Sequence, residues 1–180
     1  VSIVAKMIAL DHALEEARMP HAFGGALALA FCTQRARGTI DIDLNVFIET
    51  SRTDELLEVL PEGVEVTETS TEQLRRDGQT RAWWGETPVD LFLSTTSFHD
   101  DAAIRARRHD LGGASMPFLD CSDLAVFKAF FDRPKDWVDL AEMYETGTLE
   151  ADRIVGILAR YLGPEDLRIS RLLELTSPSS

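Results

Sequence analysis

The chain has 180 residues, with 18 Lys and Arg against 31 Asp and Glu, a formal net charge of −13 at pH 7. At 44% hydrophobic and 27% charged residues it has material for a real core, which excludes disorder throughout and points to one domain or a domain with a small appendage. The acidic excess opposes general binding to nucleic acid, because proteins that neutralise many phosphates carry a basic excess.

Ile3, Met7, Leu10 and Leu14 recur at helical spacing and Glu15, Glu16 and Arg18 close the segment before Pro20, so residues 3–18 read as an amphipathic helix. Its apolar run, Met7 to Leu10, is too short for a secretory signal, and a cytoplasmic location is expected. His21-Ala22-Phe23, then Gly24-Gly25, then the alanine- and leucine-rich run Ala26 to Gln34 read as strand, glycine turn and helix. The apolar stretch Ala22 to Cys32 is interrupted by glycines and falls short of the roughly 18 residues of a membrane span, so no membrane helix is expected. Cys32 and Cys121 are too few for a disulfide framework or a thiolate zinc site, and they read as buried small hydrophobes.

Thr39 to Ile48 alternates polar and apolar residues and is rich in β-branched side chains, which predicts a strand. A helix capped by Thr53 and stopped by Pro61 follows, then a strand from Val64 to Thr67, then a hairpin of Arg81–Trp84 with Val89–Leu93 turning over Gly85 to Pro88. Beyond it the pattern predicts helices at 96–110, 122–131, 136–145, 150–161 and 164–175, and a flexible Ser-Pro tail from Thr176. The fold class is α+β: an αβ core over 1–110 with a mixed twisted sheet flanked by helices, a helical part over 111–175 packed on it, and a tail over 176–180.

Asp41 and Asp43 are one residue apart in a strand, so both project from one face while Ile40, Ile42 and Leu44 point to the other. Two carboxylates side by side repel unless a cation lies between them, and hard ions such as Mg²⁺ take carboxylate oxygens; a solvated acidic strand face is the plain alternative. Gly24-Gly25 lets backbone approach a ligand, and the helix that starts at Ala26 offers unpaired N–H groups to phosphate. Asp90 is the only charge in the apolar run Pro88 to Leu93, and with the other two acids it can hold two metal ions roughly 3.5–4 Å apart. Lys128 falls in a helix stripe with Leu124, Phe127 and Phe131, either snorkelling at the core's rim or presenting a fixed cation to a triphosphate. Downstream, Asp136 and Asp139 share one helix face; either serves the site or pairs with Lys128 or Arg133, and Asp136 can also serve the helix N-terminus.

These residues resemble the polymerase-beta-like nucleotidyltransferases, with Gly-Gly, a helix, Asp-x-Asp and a later third acid. The blocks Gly24-Gly-Ala-Leu-Ala-Leu, Arg37-Gly-Thr-Ile-Asp-Ile-Asp-Leu44, Lys128 and Arg133-Pro-Lys-Asp-Trp-Val-Asp-Leu140 are similar to the AbiEii/MenT toxin–antitoxin nucleotidyltransferases over residues 20–145. The resemblance implies a minimal nucleotidyltransferase fold and a Mg²⁺-dependent toxin with a two-metal site. It would transfer a nucleotide, often a pyrimidine nucleotide, from a nucleoside triphosphate to the 3′ end of tRNA, and a cognate antitoxin would restrain it. It assigns Asp41 and Asp43 to the metal, Lys128 to the family lysine, and Asp136 or Asp139 to the final acid. Nucleotide and phosphate contacts fall to Gly24, Gly25, Ala26, Arg37, Thr39, Lys128 and Arg133. Ala26 stands where many members have serine, and Thr39 where some relatives are silenced by phosphorylation.

Two alternatives remain open: transfer to a small cationic molecule such as an aminoglycoside or to a protein hydroxyl, which suits the acidity, and a nucleotide- or partner-binding module with little catalysis. A tRNA substrate requires basic surface, for which the sequence offers Arg35, Arg37, Arg75, Arg76, Arg81, and Arg105, Arg107 and Arg108 on one expected helix, with Trp83 or Trp84 for stacking.

Overall fold

The computed structural model describes residues 1–177. The chain forms two compact units, one of Val1–Leu27 with Gly38–Leu119, the other of Ala28–Arg37 with the chain from Asp120 onward.

In the first unit, seven strands among the described residues form one mixed sheet in the order β3-β4-β5-β2-β1-β7-β6. Helix α1 (Ile3–Glu16) starts at Ser2, whose hydroxyl accepts the Ala5 N–H, and buries Met7, Leu10 and Leu14 as the spacing predicts. It also buries Lys6 and Asp11, each with a partner, as buried polar groups require. Lys6 Nζ donates to the Trp84 carbonyl at 2.7 Å and to Thr87 Oγ1 at 2.8 Å. Asp11 Oδ1 lies 3.1 Å from His21 Nε2, and His21 Nδ1 lies 2.9 Å from the Met19 carbonyl.

The predicted strand–glycine–helix segment is β1 (His21–Phe23) followed by α2 (Gly25–Thr33), which runs from the first unit into the second. Strand β2 (Ile42–Glu49) pairs antiparallel with β1 and parallel with β5, and Ile42, Leu44, Val46 and Ile48 are buried. It begins at Ile42, so Asp41 stands just ahead of it.

Several boundaries differ from the sequence reading. Helix α3 (Thr53–Val59) follows a short 3-10 turn, Thr50–Arg52, and Thr53 lies inside the helix with its hydroxyl donating to the Thr50 carbonyl, so it is not the cap. Strand β3 is only Val64–Glu65, and α4 (Glu68–Asp77), where the sequence reading has no element, buries Leu74 alone. So polar a helix carries no apolar stripe to reveal it. Strands β4 (Gln79–Trp84) and β5 (Thr87–Ser94) turn across Gly85-Glu86, two residues rather than four. The expected helix 96–110 is half wrong: α5 (Phe98–Arg105) ends early, and β6 (Arg107–Leu111) and β7 (Ala114–Phe118) form a hairpin. Gly112 and Gly113 adopt φ of 61° and 85°, a turn that only glycine adopts cheaply, and β7 gains a partner in β1.

Besides the end of α2, the described residues of the second unit form four helices close to the predicted ranges: α6 (Cys121–Phe131), α7 (Pro134–Glu145), α8 (Ala151–Leu162) and α9 (Leu167–Thr176). Asp120 caps α6, and α7 opens with Pro134 at its first turn and with the Asp136 carboxylate accepting the Arg133 N–H. The reading of the cysteines as two unpaired hydrophobes is overturned: Cys32 and Cys121 form a disulfide with Cα atoms 5.6 Å apart, across a sequence separation of 89 residues. Helix α2 ends where α6 begins, a non-local meeting within disulfide reach. Of the tail expected from Thr176, that residue closes α9 and residues 178–180 lie outside the described residues. Among the described residues no helix is long and apolar enough to cross a membrane.

Candidate active site: a row of acids against a glycine turn

The parallel pairing of β2 with β5 sets Asp43 opposite Asp90, and the β4–β5 hairpin sets Asp90 opposite Arg81. Residues in register project from one face, so Asp43, Asp90 and Arg81 form a single row across three strands. The Arg81 guanidinium holds Asp90 with a two-pronged pair, Nε to Oδ1 at 2.7 Å and Nη2 to Oδ2 at 2.8 Å, and its Nη2 lies 3.6 Å from Asp41 Oδ2. Hydrogen bonding to Asp90 raises the Arg81 pKa above its ordinary value, with the charges of Asp90, Asp41 and Asp43 adding to the rise and burial opposing it. One guanidinium therefore feels all three acids named from the sequence.

The glycine turn is pressed against one of these carboxylates, that of Asp43. Gly25 has φ of 58°, and a Cβ there would come within 1.8 Å of Asp43 Oδ2 and 2.4 Å of its Cγ. A Cβ on Gly24 would meet Asn45 Nδ2 at 3.0 Å and Leu119 Cδ1 at 3.2 Å. The Gly24 N–H donates to the Asp43 carbonyl at 2.9 Å, so the donors this turn can offer an anion are the N–H groups that open α2 at Gly25 and Ala26. Beside Asp41, Thr39 Oγ1 accepts the Asp41 N–H at 3.1 Å and donates to the Asp41 carbonyl at 3.3 Å, which ties the hydroxyl to the approach to β2.

The second unit gathers the other candidates around α7. Lys128, 7% exposed, donates to Asp139 Oδ2 at 2.7 Å and lies 3.7 Å from Asp136 Oδ1. Asp136, fully buried, accepts from Arg133 Nε at 2.7 Å and from the Arg133 N–H at 3.2 Å. Arg37 donates to Asp139 at 2.9 Å and also to Glu142, and Arg35 approaches Glu142 and Glu145. The hydrogen bond from Arg37 holds the Glu142 carboxyl below the usual range, and Glu142 in turn raises Arg37. Acids at every third position of α7, from Asp136 to Glu145, are thus answered by cations from α6, from the α7 cap and from the segment after α2.

The chemistry of the donor set in the first unit suits a hard divalent ion. Asp41 and Asp43 offer carboxylate oxygens, the missing Cβ of Gly25 leaves Asp43 room, and three carboxylates against one guanidinium leave two negative charges. Asp90, by contrast, has both oxygens on Arg81, and among the described residues no three His, Cys, Asp or Glu side chains are grouped as ion ligands.

Arg81 enters the sequence reading only as basic surface. Its role was legible in the hairpin: counting outward from a two-residue turn pairs Trp84 with Thr87 and, three steps on, Arg81 with Asp90, whereas a four-residue turn hides it. Of the other arginines, Arg75 pairs with Asp54, Arg76 with Asp77 and Arg108 with Glu15, and Arg105 closes α5 while Arg107 and Arg108 lie in β6 rather than on one helix. Trp83 is 44% exposed, while Trp84 lies beneath Lys6.

This architecture is the nucleotidyltransferase fold. No family model and no curated protein matches the chain. Among solved structures, the chain is similar to ANT(2″)-Ia in complex with adenylyl-2″-tobramycin, with a TM-score of 0.60 and 18% identity over 87% of this chain and 95% of that one. The solution structure of the same antibiotic-resistance factor gives 0.55 and 18% over 94% and 88%. An antigenic nucleotidyltransferase-like protein from Paracoccidioides brasiliensis gives 0.50 and 14% over 94% and 87%.

Proposed function

We propose that the chain is a metal-dependent nucleotidyltransferase that moves a nucleoside monophosphate from a nucleoside triphosphate to the hydroxyl of a small cationic acceptor. The observation that carries the reading is the row of Asp43 and Asp90, with Asp41 beside the same guanidinium and Asp43 pressed against Gly25 at the start of α2. In it the Gly25 and Ala26 N–H groups and the positive end of α2 receive phosphate oxygens, by backbone alone because Ala26 has no hydroxyl. Asp41 and Asp43 hold the divalent ion, which when bound lowers the pKa of a coordinated hydroxyl and neutralises charge at phosphorus. The acceptor hydroxyl gives its proton to water as its oxygen bonds to the α-phosphorus, the bond to the β-phosphate oxygen breaks, and pyrophosphate leaves with that electron pair. Lys128, its amino group held by Asp139, supplies the triphosphate cation that the resemblance implies, with Asp139 or Asp136 as the final acid.

A cationic acceptor is favoured by the net charge of −13 and by arginines already paired with acids. ANT(2″)-Ia, bound to an adenylylated aminoglycoside, has the same fold. The second reading, a toxin that extends a tRNA 3′ end, is silenced by phosphorylation of Thr39 and is restrained by an antitoxin. It is favoured by the exposed Trp83 two residues from Arg81, a stacking surface for a base.

Incubating the protein with Mg²⁺ and each α-labelled nucleoside triphosphate, together with amino sugars, total tRNA or total protein, tests both. Label in the amino-sugar pool is the expected result, and label in tRNA establishes the second reading instead. No transfer from any triphosphate to any pool refutes nucleotidyl transfer.

A further inference from the structure

We propose that Arg81 is a resident counter-cation of the acid row, holding Asp90 until a divalent ion and nucleotide arrive and then giving it up. The inference rests on the metal-dependent reading above and adds a switch to it. Three relationships carry it. The guanidinium takes both oxygens of Asp90 at 2.7 and 2.8 Å, so the facing lone pairs with which Asp90 would chelate an ion are occupied. The same group stands 3.6 Å from Asp41, which makes it a cation shared by the row rather than the partner of one acid. Its side chain is 48% exposed, against 21% for Asp90 and 33% for Asp41, so it can swing into solvent while the β4–β5 backbone ladder stays intact.

The direction of the exchange follows from charge. With Arg81 in place the row keeps two negative charges; an ion of charge two among the carboxylates satisfies the row without it, and a half-exposed ion pair is weak enough to yield. Arg81 therefore suppresses ion binding in the absence of nucleotide and keeps three neighbouring acids from repelling one another in the free protein. It is a positioning residue, acting through Asp90.

Titration with Mn²⁺ alone, followed by the electron-spin resonance of the free ion and by calorimetry, reads this without any turnover. Arg81→Gln should bind Mn²⁺ at least about tenfold more tightly than the wild-type chain, the scale of one screened charge at close range. Arg81→Lys, which keeps the charge but loses the two-pronged pair, should fall between them and guards against a folding defect in the glutamine variant. The gain should vanish in Arg81→Gln/Asp90→Asn, because it comes from freeing Asp90. Equal Mn²⁺ affinity in wild type and Arg81→Gln, with binding lost in Asp41→Asn, overturns the switch and leaves the metal reading standing. A gain that persists in the double variant also overturns it, as a general field effect. Absence of Mn²⁺ binding by every variant, with or without nucleoside triphosphate, removes the switch and the metal reading together.

Discussion

The Asp43 carboxylate occupies the volume where a side chain on Gly25 would begin, 1.8 Å from the Cβ position. Gly25 also has φ of 58°, so alanine there meets both a steric and a backbone cost. Gly25→Ala is expected to destabilise the protein by roughly 1–3 kcal/mol, and to weaken nucleotide binding by displacing Asp43. Gly38→Ala is the control, since nothing lies within 4 Å of its Cβ position and its φ is not positive. Urea midpoints of the two variants give the comparison.

Asp41 and Asp43 are partly exposed, and asparagine keeps their shape, so their substitution should spare the fold while it ends transfer. Asp41→Asn and Asp43→Asn are each expected to lower the rate of nucleotide incorporation by about 10³-fold or more, with the thermal midpoint within about 2 °C of wild type. A variant that retains wild-type incorporation would exclude that residue from the site.

Lys128 separates structure from chemistry. Its ammonium group is buried between Asp139 and Asp136, so Lys128→Met leaves Asp139 to Arg37 and Asp136 to Arg133 alone and should cost about 3 kcal/mol of stability. Combining it with Asp139→Leu should recover part of that loss, measured by chemical denaturation. Incorporation that remains absent in the restabilised pair would then report a role of the Lys128–Asp139 pair in the reaction rather than in stability.

The Cys32–Cys121 bond closes a loop spanning 89 residues, and closing a loop near 100 residues is worth roughly 4–5 kcal/mol in the chain-entropy account. Reduction with a dithiol, or Cys32→Ala with Cys121→Ala, should lower the thermal midpoint, and the oxidised chain should weigh two hydrogens less by mass spectrometry. An unchanged midpoint would show that native packing alone supports this junction.

The α9 cap gives a pH signature. Hydrogen bonds from the Arg168 side chain, then from its backbone, hold the Asp166 carboxyl down from 3.8 to about 2. A depressed folded-state value favours the folded chain above the unfolded value and loses that benefit as pH falls through about 2. The stability difference between wild type and Asp166→Asn should therefore be flat from pH 7 to about 5 and shrink between about pH 4 and 2. A difference growing towards acid would reverse the assignment.

Short-range pattern was enough for β2, for α1 with its buried Met7, Leu10 and Leu14, for the helices α6 to α9, and for the acids Asp41, Asp43 and Asp90 as one group. Each rests on a period of two or 3.6 residues, or on a charge out of place in an apolar run, and such signals survive in any chain context. Pattern failed at α4, whose single buried leucine leaves no stripe, and at β6, whose charged residues imitate a helix.

By itself, then, the sequence singled out the candidate residues and the kind of element on which most of them lie. Tertiary structure alone decided what each of them meets: Asp43 over Gly25, Asp90 in the grip of Arg81, Lys128 on Asp139, Cys32 on Cys121. Those meetings depend on strand register and helix docking across tens of residues. A one-residue change in a turn alters them while leaving every local period intact, as the two-residue turn at Gly85-Glu86 shows by delivering Arg81 to Asp90.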